Sequence, residues 1–144
     1  MVKRKKTKAQ TKKVKKPITL FKVVDKNLQS VHGGSYKYKL NIWTLPIREP
    51  SVCQWGYHVI PIEELPTWYS PKGYQKLFMV EVQGKYDGNI GYKISYESIR
   101  LTLEIAPWLA EMIHQMLLGL KYSGVSKVAK RRYAENILKK QGYM

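Results

Sequence analysis

Three histidines, one cysteine and one adjacent pair of glutamates are the side chains with which this chain could do acid–base, nucleophilic or metal chemistry. His58 lies in Tyr57-His58-Val59-Ile60, where its apolar neighbours favour a core or edge histidine on a strand over a base or ligand. His32, in His32-Gly33-Gly34-Ser35, belongs to an exposed turn, and His114 falls between the apolar positions of a helical pattern, at its boundary. One cysteine and three widely spaced histidines lack the paired spacing of a zinc site. Cys53 as a nucleophile would need a neighbouring base in an electropositive setting. His58, five residues on, points to the opposite face of a regular strand, so Cys53 reads as a buried thiol. Glu63 and Glu64 diverge on a helix and suit its positively polarised start better than a catalytic pair. Neither Gly33-Gly34 nor the Gly88 to Gly91 stretch stands between a strand and a long helix, so phosphate-loop readings fail.

The basic side chains carry a stronger signal. The formal charge of +16 divides into +9 over residues 1–17, +2 over 18–104 and +5 over 105–144. Residues 1–17 hold Lys3, Arg4, Lys5, Lys6, Lys12, Lys13, Lys15 and Lys16 among their nine cations, and no acid. Such a run repels itself and cannot build a core, so it is expected to be a disordered arm. Its chemistry is phosphate neutralisation on nucleic acid or another polyanion, or that of a nuclear-localisation run; a solubilising tail is the plain alternative. Lys130, Arg131 and Arg132, in a second basic segment, are further candidates for phosphate contact. Tyr36-Lys37-Tyr38-Lys39 could stack single-stranded bases, but a half-buried strand has the same alternation.

The elements that must position these groups follow from periodicity. At 144 residues and 44% hydrophobic, the chain has the material of one globular domain. No apolar run reaches the roughly 18 residues of a membrane span. The single cysteine and the missing apolar h-region lead us to expect an intracellular protein that is not secreted. Ile18–Val24, Tyr36–Leu40, Cys53–Ile60 and Leu77–Val82 read as strands and Tyr92–Leu103 as one or two more, with Ile42–Pro50 an irregular connection and Gly84–Gly91 turn-rich. Pro61–Leu65 reads as a short helical turn. From Ala106 the period changes: Trp108, Leu109, Met112, Ile113, Met116, Leu117 and Leu120 form the apolar stripe of a helix that Pro107 opens and Ser123-Gly124 closes. Ser126 caps a second helix to about Lys140, with Ala129, Tyr133, Ile137 and Leu138 on its apolar side. The expected fold is α+β: a mainly antiparallel, curled sheet over 18–104, a C-terminal helical segment over 105–144 packed on it, and the basic arm in front.

Residues 19–105, about 60% of the chain, resemble a small domain of unknown function seen in phage and prophage proteins. The matching elements are Leu20-Phe21-Lys22, Cys53-Gln54-Trp55-Gly56-Tyr57-His58-Val59, the Pro61 to Tyr69 segment, and Phe78-Met79-Val80-Glu81-Val82-Gln83-Gly84. That resemblance implies a β-rich fold in a phage-type context (host cytoplasm) and no particular reaction. The same central pattern also resembles ADP-ribosyltransferase-like folds, which would cast His58, Tyr69 and Glu81 around a nicotinamide, with NAD as the cofactor; otherwise no cofactor is expected. The leading expectation is therefore a small phage-type protein binding nucleic acid, or nucleic-acid-rich assemblies, through phosphates. The alternatives are an ADP-ribosyltransferase-like enzyme and a non-catalytic protein-interaction or virion-associated module, the last of which would expose a large apolar patch.

Overall fold

The structure, a computed structural model, describes residues 18–31, 36–52, 56–89 and 93–144. Residues 1–17, Cys53 and His32, and with them the expected arm, thiol and turn histidine, lie outside the described residues. The α+β class is as expected. Four antiparallel strands, β1 (Leu20–Val24), β2 (Tyr57–Pro61), β3 (Lys76–Gly88) and β4 (Ile94–Ile105), close in the order β1-β2-β4-β3 into a small barrel. The helices α2 (Pro107–Gly119) and α3 (Lys127–Lys140) follow; a short α1 (Leu65–Trp68) precedes β3.

The long β3–β4 hairpin dominates the wall, pairing from Leu77↔Ile105 to Gly88↔Ile94. The segment after Gln83 is strand and not the expected turn. A register shift between Gln83 and Tyr86 absorbs Gly84, at φ +86°, as a bulge, and a second shift lies at Met79/Val80. Bulges add local twist, which lets 13- and 12-residue strands curl far enough to meet β1 and β2. The expected Tyr36–Leu40 strand reduces to a single bridge, Gln29↔Lys37, although Tyr38 is buried. The proline-bearing connection is irregular, as expected, yet it has a structural task. Asn41, Thr44 and Ile47 donate backbone N–H groups to the carbonyls of Leu101, Ile99 and Glu97, following β4 beyond the stretch that β2 covers.

Strand alternation divides the apolar side chains into two cores. Leu20, Val24, Tyr57, Val59, Phe78, Ile94, Ile99 and Leu101 form a cluster to which no helix contributes, and this is the barrel lumen. Phe21, Val23, Ile60, Leu77 and Ile105 point outward and join Leu109, Ile113, Leu117, Ala134 and Leu138 from the two long helices.

Both helices dock on faces turned from those the apolar periodicity suggests. On α2 the buried set is Leu109, Ala110, Ile113, His114 and Leu117, while Trp108 and Met112 face solvent. The small Ala110 permits close approach, and His114 is an inward residue instead of a boundary one. On α3 Tyr133 is exposed, and Ala134 and Leu138 are buried. Lys127, Arg131, Ala134 and Leu138 recur at i, i+4, i+7 and i+11, a single helical face that is ionic at one end and apolar at the other. Ser126 caps this helix as expected, its hydroxyl accepting from the Ala129 N–H at 3.1 Å.

Candidate functional site

The wall of a closed barrel is continuous only where neighbouring strands pair, and here one seam is short. β1 and β2 pair at Leu20↔Pro61 and Phe21↔Ile60 alone. On their other edges β1 pairs with β3 along its whole length, Leu20 to Val24, and Tyr57, His58 and Val59 pair with β4, while beyond Phe21 and Ile60 the ladder between β1 and β2 stops and the two strands diverge. A cleft opens at this divergence, between Phe21, Lys22 and Val23 on one side and His58, Val59 and Ile60 on the other. Ser30, Trp68 and Lys93 complete its rim.

Lys22 occupies the middle of an apolar strand and is almost fully buried, at 5% exposure. Its Nζ crosses the divergence to donate to the His58 carbonyl at 2.8 Å and lies 5.6 Å from the centre of the Tyr38 ring. Burial, reinforced by the charge of Lys93, holds its amine down at about 7. Burial also lowers His58, to about 4, with Lys22 and Lys93 adding to the effect. Lys93 places its Nζ 4.1 Å from the Trp68 ring centre. Three basic residues thus line one cleft, and among the described residues that line it there is no carboxylate; strand alternation sends the Lys22 side chain to the lumen face with Leu20 and Val24, and that of His58 to the outer face with Ile60.

The candidates read from the sequence are distributed otherwise. His58 lines this cleft. Tyr69 is in the helical core, its ring 5.7 Å from that of His114 and its hydroxyl raised by burial and by the charges of Glu111 and Glu104. Glu81 is exposed on β3 and accepts from Arg100 Nε at 3.0 Å. These three side chains stand in separate surroundings. The cleft beside His58 has a cavity volume of about 30 Å³, against the roughly 300–1,000 Å³ of ordinary small-molecule pockets. That is room for one or two water-sized groups rather than for a nicotinamide ring.

Among the basic candidates of the described residues, Arg131 is engaged within the fold. Its Nε donates to both carboxylate oxygens of the fully buried Glu63, at 2.9 and 3.0 Å, which raises the guanidinium further. Lys127 likewise reaches Glu64 at 2.9 Å. Glu63 and Glu64 therefore anchor α3 and do more than favour a helix start. Arg132, Lys139 and Lys140 are exposed and, with Asn136, recur at i, i+4, i+7 and i+8 along the outward face of α3. Lys130 is half-buried beside a groove that also takes in Lys121 and Lys127.

Comparison with protein-family models, with curated proteins and with solved structures finds no match for this chain. Among the described residues no group of three or more His, Cys, Asp or Glu could hold a metal ion, and no helix is long and apolar enough to cross a membrane. Lys22 and Lys93 are the site residues that sequence reasoning passed over. A signal was present: a lysine inside the run Ile18-Thr19-Leu20-Phe21-Lys22-Val23-Val24 is a charge where a strand has two covered faces. Nothing in the pattern around Lys93 marks it, because only barrel closure brings it to β1.

Proposed function

We propose that this protein binds polyanions, nucleic acid foremost, through phosphate contacts made by the basic residues of 1–17 and by the outward face of α3. The observation that carries the reading is the arrangement of its charge. Four of the ten acids are held in ion pairs: Glu63 by Arg131, Glu64 by Lys127, Glu81 by Arg100 and Glu49 by Lys85. The surplus cations face outward on α3 as Arg132, Lys139 and Lys140, and residues 1–17 add nine more to a chain of net charge +16. Contacts of this kind bind by releasing counterions and carry little base specificity.

The test is affinity for a mixed-sequence duplex and for a single strand as a function of salt. The full chain is compared with a chain beginning at Ile18 and with Arg132→Ala/Lys139→Ala/Lys140→Ala. Each lost phosphate contact flattens the slope of log K against log salt by about 0.9 on duplex. The triple variant should therefore lose roughly 2–3 of slope, and the truncation more. Arg131→Ala, which removes an internal tie, should leave the slope unchanged in the fraction that folds. Absence of binding by the full chain at about 0.15 M salt, where specific and non-specific phosphate binders still associate, refutes the reading.

A further inference from the structure

We infer that a row of tyrosines across β2 and the β3–β4 hairpin is a stacking surface for the bases of a single-stranded nucleic acid. The inference rests on the phosphate-binding reading above and names the form of nucleic acid that suits it. Strand register builds the row. Tyr57 on β2 stands directly opposite Tyr96 on β4, and the bulge between Gln83 and Tyr86 sets Tyr86 of β3 opposite the same Tyr96. Directly opposed residues of an antiparallel pair share one face of the sheet. The Tyr86 and Tyr96 rings lie 5.5 Å apart, tilted by 31°. At the β2 end, the Tyr36 ring meets Tyr57 edge-on at 5.5 Å and Tyr38 at 4.9 Å. Five rings from four parts of the chain thus form one series of contacts.

Burial separates the roles within the row. Tyr38 and Tyr57 are buried, and the Tyr57 hydroxyl donates to the Leu45 carbonyl at 2.7 Å, so these two rings are fixed in the fold. Tyr36 and Tyr86, at the two ends, are 40% and 46% exposed. Each is propped by an inner neighbour and keeps part of its ring in water, which offers a base a π face already held in place. Cations accompany both ends. Lys37 and Lys39 follow Tyr36 in the chain and are exposed; Lys85, beside Tyr86 on β3, shares a groove with Arg48, Glu49 and Glu97. The acids at that end are engaged: Glu49 by the Lys85 ammonium, Glu97 by the Lys85 backbone N–H and Asp87 by the Val52 N–H. The plain alternative is that the tyrosines only close the end of the barrel. Closure accounts for Tyr38 and Tyr57, but it gives no task to the exposed rings or to the lysines beside them.

The experiment compares the affinity of the full chain, at about 0.1 M salt, for two labelled strands of equal length. One is an oligothymidylate and the other the same sugar–phosphate strand without bases. The first should bind about tenfold more tightly or better, within the range that stacking of one or two bases supplies. Tyr36→Leu/Tyr86→Leu should bring the two strands to equal affinity and leave that for the base-free strand unchanged, since phosphate contacts do not involve the rings. Tyr36→Phe/Tyr86→Phe, which keeps the rings and removes the hydroxyls, should retain the preference. Tyr36→Leu alone, outside the strands, should remove part of it, and serves where the double variant does not fold. Equal affinity of the wild type for both strands overturns the stacking surface and leaves the phosphate reading standing. A preference that survives in Tyr36→Leu/Tyr86→Leu overturns it too, because the bases are then met elsewhere, as does loss of the preference in the Phe variant. Absence of binding to either strand refutes the phosphate reading, and this inference with it.

Discussion

Lys22→Met makes the buried amine a test of the fold itself. In the unfolded chain this lysine titrates near 10.5, and in the barrel near 7. Between those values the unfolded state holds a proton that the folded state has released. Raising the pH therefore favours folding, by about 1.4 kcal/mol per unit for one whole proton. Below about pH 7 both states are protonated and the dependence vanishes. From about pH 7.5 to about 9, allowing for partial titration at the lower end, the gain is roughly 2 kcal/mol. Burial raises the Tyr38 hydroxyl above its usual 10, so it opposes this trend only at still higher pH, where the unfolded tyrosine ionises first. Urea unfolding midpoints at the two pH values, in wild type and in Lys22→Met, read the difference directly. The wild type should gain stability across the window and the variant should stay flat, since methionine keeps the stem's bulk without the titrating group. Parallel behaviour of the two proteins would show that Lys22 is not held neutral, and the reasoning about its burial would fail.

Removing one partner of the Glu63–Arg131 pair leaves the other charge buried and alone. Arg131→Met is expected to cost about 3–5 kcal/mol, and Glu63→Leu/Arg131→Met together much less, by urea denaturation. His114 Nδ1 is buried with no hydrogen-bond partner among the described residues. His114→Leu should therefore raise stability by about 1 kcal/mol, freeing an unsatisfied group from the helical core. A Cβ on Gly84 would stand 2.8 Å from Glu97 Cβ at a backbone angle of φ +86°. Gly84→Ala should cost about 1–3 kcal/mol, and part of that loss should return in a Glu97→Gly background, measured by thermal unfolding.

Much of the architecture was legible because it rests on periodicity. The change from alternation to a 3.6-residue period at Ala106, the proline at the start of α2 and the Ser126 cap marked both long helices and their order. Three features escaped for physical reasons. The glycines at 84 and 88 suit a turn or a bulge equally, and only the length of β4 opposite decides for a bulge. The docking face of α3 was hidden because half of it is charged: Arg131 faces inward only because Glu63, 68 residues earlier, waits there. His58 was visible as a residue able to do chemistry, but its companions Lys22 and Lys93 arise from strand order, to which spacing along the chain is blind.

The place of β1 has a consequence for how the protein comes to be made. It is the first strand among the described residues, yet its neighbours in the barrel, β2 and β3, begin at Tyr57 and Lys76. A polypeptide emerging from the ribosome therefore carries a strand-forming segment whose first partner, β2, begins 33 residues after Val24 and whose main partner, β3, begins 52 residues after it. Bare apolar runs of this kind self-associate, and a charge within or beside them is what commonly prevents it. Lys22 interrupts Ile18–Val24 at its centre, and Lys15 and Lys16 flank it. In that nascent state the amine is hydrated and ionised, and a charge so placed opposes pairing between strands of different chains. The same side chain thus serves the chain twice, first as a repellent charge in water and later as a neutral base inside the wall.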